Sequence, residues 1–355
     1  MKQYLHIIQR ELPTVSEEDL ITPIKQTHID SLDIVVIRVA LEKHFGIEVS
    51  DAVWYQYQTL SEALLYFHNN RKENSEGKQS ETREVTNTES VEIRMPQMAN
   101  SALSESWLLK YLGDKHWLLL SEGFGKKSSE FIDDFGNRLY ATSALINFQE
   151  NEIVNFNSKI EGFGSNTFIS SINGKSSGNE IKATLLTTFS VRVNDNNNEI
   201  NKGNLDLMPN SIRQISKTPI QLNEYRLLRK GLLDEITSAY GNFPNSEEII
   251  FSCEYSVNPY HDINGVGLLY FAAYPIISDS CCLKYFDNPK SFSYQTIYRD
   301  IFYFANSNPS DKIIFQLNYI EQKENIIRTL TSLYRQSDNK LLAKILTVKE
   351  ICNEH

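Results

Sequence analysis

Apolar positions recur at helical spacing through the first seventy residues and at strand spacing through most of the remaining chain. YLHIIQREL, VVIRVALEKHFGI and LSEALLYFHNN each read as an amphipathic helix. In the second, Val36, Ile37, Ala40, Leu41 and Phe45 share a face and Gly46 ends the helix. Together they predict a small helical bundle over residues 1–70. Residues 71–91 then lack any aromatic residue and any Leu, Ile or Met. Such a stretch cannot offset the entropy of ordering its chain, and it is expected to be a flexible linker. About twenty such residues reach roughly 25 Å, which would hold the two flanking parts at an effective concentration of about millimolar.

Beyond the linker, an apolar helix at Ser104 to Phe124 precedes strands at RLYATSALINFQ, SNTFISSING and IKATLLTTFSVRV. A second, Tyr274 to Phe286, precedes strands at TIYRDIFYFAN, KIIFQLNYIEQ, IIRTLTSLYRQ and KLLAKILTVKEI. Ile313, Phe315, Leu317 and Tyr319 alternate as one face of a sheet does. A helix followed by antiparallel strands thus occurs twice. That order fits two tandem hotdog units, residues 92–245 and 246–355, in which an antiparallel sheet wraps a central helix. The fold class expected is α+β.

Composition narrows the function classes. A length of 355 residues exceeds what one core usually serves and suggests two or three domains, and 41% hydrophobic residues suffice to fill them. The net charge is -10, and no basic run is long enough to track a phosphate backbone, so nucleic acid is not an expected partner. With no run of 18 apolar residues and no secretory pattern at the N-terminus, a cytoplasmic protein without membrane association is expected. Cys253, Cys281, Cys282 and Cys352 have neither CxxC spacing nor a suitable nearby His, so neither a metal nor a disulfide framework is expected. Residues 1–70 carry ten acidic against five basic side chains, which suits docking on a basic patch.

Asp30-Ser31-Leu32 opens the helix of residues 33–45, Leu41-Glu42-Lys43-His44-Phe45-Gly46-Ile47 closes it, and Thr59-Leu60 begins the next. In this order the motifs resemble the acyl carrier protein family across residues 1–70. The resemblance implies an all-α four-helix carrier whose Ser31 is esterified with 4'-phosphopantetheine by a phosphopantetheinyl transferase. A serine at a helix N-terminus sets an anionic phosphodiester beside unpaired amides. The plainer alternative is that Ser31 is a helix cap. Gly123-Phe124-Gly125-Lys126-Lys127-Ser128 lacks the GxxxxGK[ST] spacing of a phosphate loop and reads as a helix exit.

The stretch DINGVGLLYFAAYPIISDSCCLKYF, Asp262 to Phe286, is similar to the motif leading into the central helix of hotdog acyl-CoA thioesterases. That likeness implies an acid at Asp262 assisting thioester chemistry, with Pro275 in the first helical turn. No second acid-base residue accompanies Asp262 there, which weakens a hydrolytic reading. The strings LSESWLLKYLGDKHW, GNRLYATSALINF and NGVGLLYFAAYPIISD together resemble the bifunctional acyltransferase/decarboxylase family typified by the leinamycin-pathway enzyme.

This second resemblance spans residues 92–355 and implies a double hotdog that takes malonyl- or methylmalonyl-CoA, decarboxylates it and passes the product to a carrier in polyketide assembly. It also implies that Tyr140 accepts the acyl group. A tyrosine with pKa near 10 must lose its proton during attack, and on residue type alone Tyr140 could equally be a strand tyrosine. Decarboxylation leaves an enolate that needs donors at its oxygen. Asn264, the amides of Gly265 to Gly267 and Ser104 are candidates, with turn and cap roles as the alternatives. His116 reads as packed in its helix, His261 could touch substrate, and Cys281 and Cys282 read as helix core.

The expected function is therefore loading of acetyl or propionyl from coenzyme A thioesters onto the fused Ser31 arm, for a polyketide synthase or other carrier-dependent enzymes. The rivals are a hotdog thioesterase or dehydratase relying on Asp262, and a non-catalytic scaffold that only holds the carrier.

Overall fold

The computed structural model describes residues 4–54, 56–70, 84–93, 97–99, 102–133, 138–148, 154–164, 166–175, 180–193, 196–203, 211–286 and 294–351. The N-terminal helices are α1 (Leu5–Glu11), α2 (Ser31–Phe45), the four-residue α3 (Asp51–Trp54) and α4 (Leu60–Asn70). Their apolar faces meet in a core of their own that includes Ile8, Ile37, Leu41, Phe45, Leu64 and Phe67. α2 ends at Gly46, whose φ of 66° is the left-handed conformation that glycine adopts most readily.

The body contains β1 (Val85–Val91), the short β2 (Met98–Ala99) and β3 (Ala102–Leu103), then α5 (Glu105–Phe124). β4 (Tyr140–Phe148), β5 (Val154–Phe163), β6 (Thr167–Lys175), β7 (Glu180–Val193) and β8 (Asn196–Lys202) follow. α6 (Ile220–Arg229), β9 (Glu235–Ser238), β10 (Gly241–Pro244) and β11 (Phe251–Ser256) lead to α7 (Ala273–Phe286). β12 (Tyr294–Tyr303), β13 (Lys312–Lys323), β14 (Ile326–Arg335) and β15 (Lys340–Ile351) complete the chain's elements. No helix among the described residues is long and apolar enough to cross a membrane.

Two sequence expectations are corrected. The linker expected over 71–91 is too long at its C-terminal end, because Val85–Val91 pairs antiparallel with β5, from Val85 opposite Ile160 to Val91 opposite Val154. Its polar composition fits a strand at the sheet edge, where Val85 alone is buried. In place of two separate sheets there is one 11-stranded sheet, ordered β1-β5-β6-β7-β4-β12-β15-β14-β13-β11, with β8 paired to β7. The halves join where β4 pairs with β12, Phe148 opposite Arg299 to Leu145 opposite Phe302.

Alternation along the strands gives this sheet two buried faces. Leu185, Ile301 and Ile345 face a core built on α5 and α7, which includes Leu108, Leu112, Ile277 and Cys281. Their neighbours Leu186, Phe302 and Leu346 belong to a second core with Leu222, Tyr225 and Leu228 of α6. Since successive strand residues point to opposite faces, α5 and α7 lie on one side and α6 on the other.

Leu32, Val35 and Val36 of α2 also join the α6 core. The N-terminal helical domain is therefore docked on the outer face of the sheet, beside α6. Gly164, at φ 65°, allows the approach: a Cβ there would lie 2.8 Å from Val35 Cγ1 and 3.3 Å from Val39 Cγ2.

Candidate functional site

Capping fixes the orientation of Ser31. Asp30 Oδ1 accepts hydrogen bonds from the amides of Leu32 at 2.8 Å and Asp33 at 2.9 Å, and the Asp30 amide donates to Asp33 Oδ2 at 3.0 Å. Asp30 is thus the cap, and the alternative of Ser31 as the cap is set aside. Ser31 occupies the first helical position, where its hydroxyl is available for chemistry.

Asp33, in turn, is the polar centre of the docking contact. Its Oδ1 accepts from Arg226 Nε at 2.7 Å and Nη2 at 2.6 Å, while Lys230 Nζ donates to Oδ2. Burial raises the Asp33 pKa, but Lys230, the Asp30 amide and Arg226 outweigh it and hold the carboxyl below its ordinary value. Arg229 reaches towards Asp30 at 4.0 Å, and Thr218 Oγ1 donates to Glu11 Oε2 at 2.9 Å. None of these body residues was marked by sequence reasoning. The signal available was the basic run RLLRK, Arg226 to Lys230, facing an acidic N-terminal domain.

Docked in this way, Ser31 opens into a cavity of about 510 Å³. The cavity lies at one end of the sheet, where β6 and β15 begin and β7 and β12 end. It reaches α6 and α2 on the outer face through Tyr225, Arg229, Ser31 and Leu32, and the α7 side through Asn264, Leu269, Phe271 and Tyr274. Asn197, Asn198 and Asn201 of β8 and Asn306 add amides, Thr167, Thr188 and Ser190 add hydroxyls, and Lys340 adds a second cation. No carboxylate and no imidazole lines it among the described residues.

Three tyrosines on this wall are committed elsewhere. Tyr225 donates to the Tyr303 carbonyl at 2.7 Å, Tyr274 to the Ala305 carbonyl at 3.0 Å, and Tyr303 to the Phe271 carbonyl at 2.9 Å. Burial pushes the Tyr225 phenol up to about 12 and raises those of Tyr274 and Tyr303 as well. None is a ready nucleophile. The backbone of Tyr140 begins β4, opposite Ser190 in the register, and β4 runs between β7 and β12, both of which contribute to the wall. The Tyr140 side chain lies outside the described residues.

Asn264 is both a turn residue and a wall residue. Its Oδ1 accepts from the amides of Val266 at 3.1 Å and Leu268 at 3.0 Å, which fixes the amide orientation and leaves Nδ2 as the side chain's remaining donor. Asp262 and Ser104, expected near the reacting thioester, do not line the cavity. Buried Asp262 accepts from Tyr255 Oη at 3.0 Å and the Asn258 amide at 2.7 Å, which staples its loop to β11. Ser104 caps α5, accepting from the Trp107 amide at 3.4 Å. His116 is sealed in the core between Ser170 Oγ, 2.6 Å from Nδ1, and Thr187 Oγ1, 2.7 Å from Nε2.

Among the described residues, two buried polar atoms of wall residues have no hydrogen-bond partner: Thr167 Oγ1, whose residue is fully buried, and Asn198 Oδ1. With the Ser31 hydroxyl and Arg229 at the same cavity, the residues present fit a phosphopantetheine arm attached at Ser31.

Comparison with known proteins bears on the two parts of the chain separately. Residues 5–67 match the family model described as phosphopantetheine attachment site. No curated protein sequence matches the chain. Among solved structures it is similar to a protein described as an oleoyl thioesterase of Lactobacillus plantarum, with a TM-score of 0.54 at 10% identity, covering 76% of this chain and 97% of that one. It is also similar to the 12:0-ACP thioesterase of Umbellularia californica, with a TM-score of 0.50 at 8% identity, covering 75% and 98%. At such identities the likeness establishes the fold. Residues 5–67 are thus a carrier domain of the phosphopantetheine-attachment type, fused to a body of the hotdog fold.

Proposed function

We propose that the body loads its own carrier, taking a malonyl or methylmalonyl group from coenzyme A, removing carbon dioxide and delivering acetyl or propionyl to Ser31's arm. The observation that carries this reading is the shared cavity: the carrier serine forms part of its wall, and the other polar groups are amides, hydroxyls and cations. Thioester hydrolysis calls for a base to activate water, and the described wall offers neither carboxylate nor imidazole. Decarboxylation itself needs no such base, and in the transfer to Tyr140 the departing thiolate takes the phenol proton. Decarboxylation needs donors for the enolate oxygen, and the amides and hydroxyls of the wall are of that kind.

In this scheme the Tyr140 oxygen attacks the thioester carbonyl, the carbon–sulfur bond breaks, and the phenol proton leaves with coenzyme A as its thiol. Loss of carbon dioxide breaks the bond between the carboxylate and the α carbon and leaves that electron pair in an enolate. Asn264 Nδ2 donates to the enolate oxygen, and a proton from water completes the α carbon. The arm supplies a thiol that takes the acyl group, its proton returning to Tyr140. The three tyrosines of the described wall are committed to backbone carbonyls, which leaves the acceptor role to Tyr140 in this reading. The loaded carrier would then serve a polyketide synthase or another carrier-dependent enzyme.

Intact-protein mass spectrometry of the phosphopantetheinylated chain with malonyl-CoA and methylmalonyl-CoA tests this. A decarboxylated acyl mass on the arm is expected, and none in Tyr140→Phe. Absence of loading from either substrate by folded protein, or undiminished loading in Tyr140→Phe, overturns the reading. Release of acyl chains from a preloaded carrier would favour the hydrolytic alternative.

A further inference from the structure

The proposed chemistry leaves Thr167, Asn198 and Arg229 without a role. Thr167 is fully buried, yet its hydroxyl has no partner on a wall of the cavity, and Asn198 Oδ1 is in the same position. Buried polar groups are nearly always satisfied, so such atoms mark places where a partner belongs. Thr167 also stands at a telling point in the fold. It comes just after the β5–β6 turn whose Gly164 packs against Val35 of α2. The unmatched hydroxyl therefore lies in the segment that receives the Ser31 helix.

Arg229 is the third cation of the α6 run. Arg226 and Lys230 are engaged by Asp33, whereas Arg229 Nη1 stands 4.0 Å from Asp30 Oδ2 and lines the cavity together with Ser31. A phosphodiester on Ser31 would adjoin the Asp30 carboxylate. A guanidinium beside both relieves the repulsion of those neighbouring charges and matches phosphate geometry.

We propose that this end of the cavity is a receptor for the phosphopantetheine arm itself, with Arg229 pairing with the phosphodiester and Thr167 and Asn198 hydrogen-bonding the hydroxyl and amide groups farther along the arm. The assignment rests on the reading that Ser31 carries the arm. Arm binding and carrier docking are then one linked event, so attachment of the arm strengthens docking.

Hydrogen exchange of the α6 amides, Tyr225 to Lys230, followed in the full chain as salt is raised, reads docking without depending on catalysis. The apo and arm-bearing forms are compared, with intact mass reporting attachment at Ser31. In the wild type, the arm should raise the salt concentration at which protection is lost. Thr167→Val should leave the apo form docked as in wild type, since it removes an unsatisfied hydroxyl, and should reduce the arm-dependent gain about tenfold. Arg229→Gln should reduce the gain at least as much, and Arg229→Lys should restore part of it. Equal protection of apo and arm-bearing wild type, or a full gain in Thr167→Val whose arm is confirmed by mass, overturns the receptor alone. A chain that never accepts an arm at Ser31 overturns both it and the reading beneath it.

Discussion

Asp33 of the carrier and Arg226 of the body meet through two hydrogen bonds to one carboxylate oxygen, at 2.7 and 2.6 Å, with side chains 0% and 5% exposed. The pair spans 193 residues of sequence, so the contact depends on docking and not on local structure. Removing one member of a buried pair leaves the other uncompensated, at a cost of about 3 kcal/mol or more. Arg226→Ala should therefore weaken docking over a hundredfold, read by loss of α6 amide protection, and slow acyl delivery to Ser31 accordingly. Unchanged protection would mean that the apolar contacts of Leu32 and Val35 suffice.

The same pair sets a pH dependence. Although burial raises the Asp33 pKa, Lys230, the Asp30 amide and Arg226 bring it below the ordinary value when the carrier is docked. A carboxyl with a depressed pKa contributes fully above its unperturbed value of about 3.9, and that contribution is lost as pH falls through the lowered one. The carrier should stay docked through the mildly acidic range and be released only below it. Asp33→Asn should remove this transition, and titration of docking by hydrogen exchange checks it.

Gly164 offers a steric test of the same surface. Its φ of 65° is strained for any other residue, and an added Cβ would meet Val35 Cγ1 at 2.8 Å. Gly164→Ala should cost about 1–2 kcal/mol in backbone strain alone and push α2 off the β5–β6 turn. Adding Val35→Ala makes room for the new methyl and should restore part of the docking. If the double variant docks no better than the single one, the steric explanation fails.

Much of this architecture was legible because it is encoded locally. Gly46 ending α2, the helix of residues 31–45 and the alternation in β13 need only neighbouring residues to be read. The joint between β4 and β12 could not be read in that way, since it pairs Leu145 with Phe302. β1 was hidden by the polar composition that an edge strand tolerates, and α6 by the basic residues that give it its purpose. In the site, Ser31 and Asn264 could be found by motif and both reach the cavity. Thr167 and Arg229 could not, because a threonine in a strand and an arginine on a helix acquire meaning only when the carrier docks. Asp262 carried a motif signal, but its carboxylate is held by Tyr255 and Asn258 in a loop-fixing role.

Asn264 can be tested with little disturbance of its turn. Its Oδ1 holds the amides of Val266 and Leu268, and an aspartate at this position would keep both acceptor bonds while replacing the Nδ2 donor with a carboxylate oxygen. If Nδ2 stabilises the enolate, Asn264→Asp should retain the fold and lose decarboxylation by roughly 10²–10³. Acyl-enzyme still bearing its carboxylate should then accumulate, visible by intact mass. Decarboxylation at the wild-type rate in folded Asn264→Asp would exclude that role.

His116 ties stability to pH from a position remote from the cavity. Burial lowers its pKa to about 3, while Ser170 Oγ lies 2.6 Å from Nδ1 and Thr187 Oγ1 2.7 Å from Nε2 of the neutral ring. In the unfolded chain it takes up a proton near pH 6.5, so the unfolded state binds more protons as pH falls from that value towards 3. Stability is thus fully present above about 6.5 and declines below it, by up to roughly 2 kcal/mol between pH 7 and pH 5. His116→Gln keeps hydrogen-bonding groups in the core without titrating there. It should be less stable than wild type at pH 7, where the better-fitted imidazole is neutral, and the difference should narrow at pH 5. Denaturant unfolding of both proteins at the two pH values measures it. A gap that stays constant would show that His116 is not the group responsible.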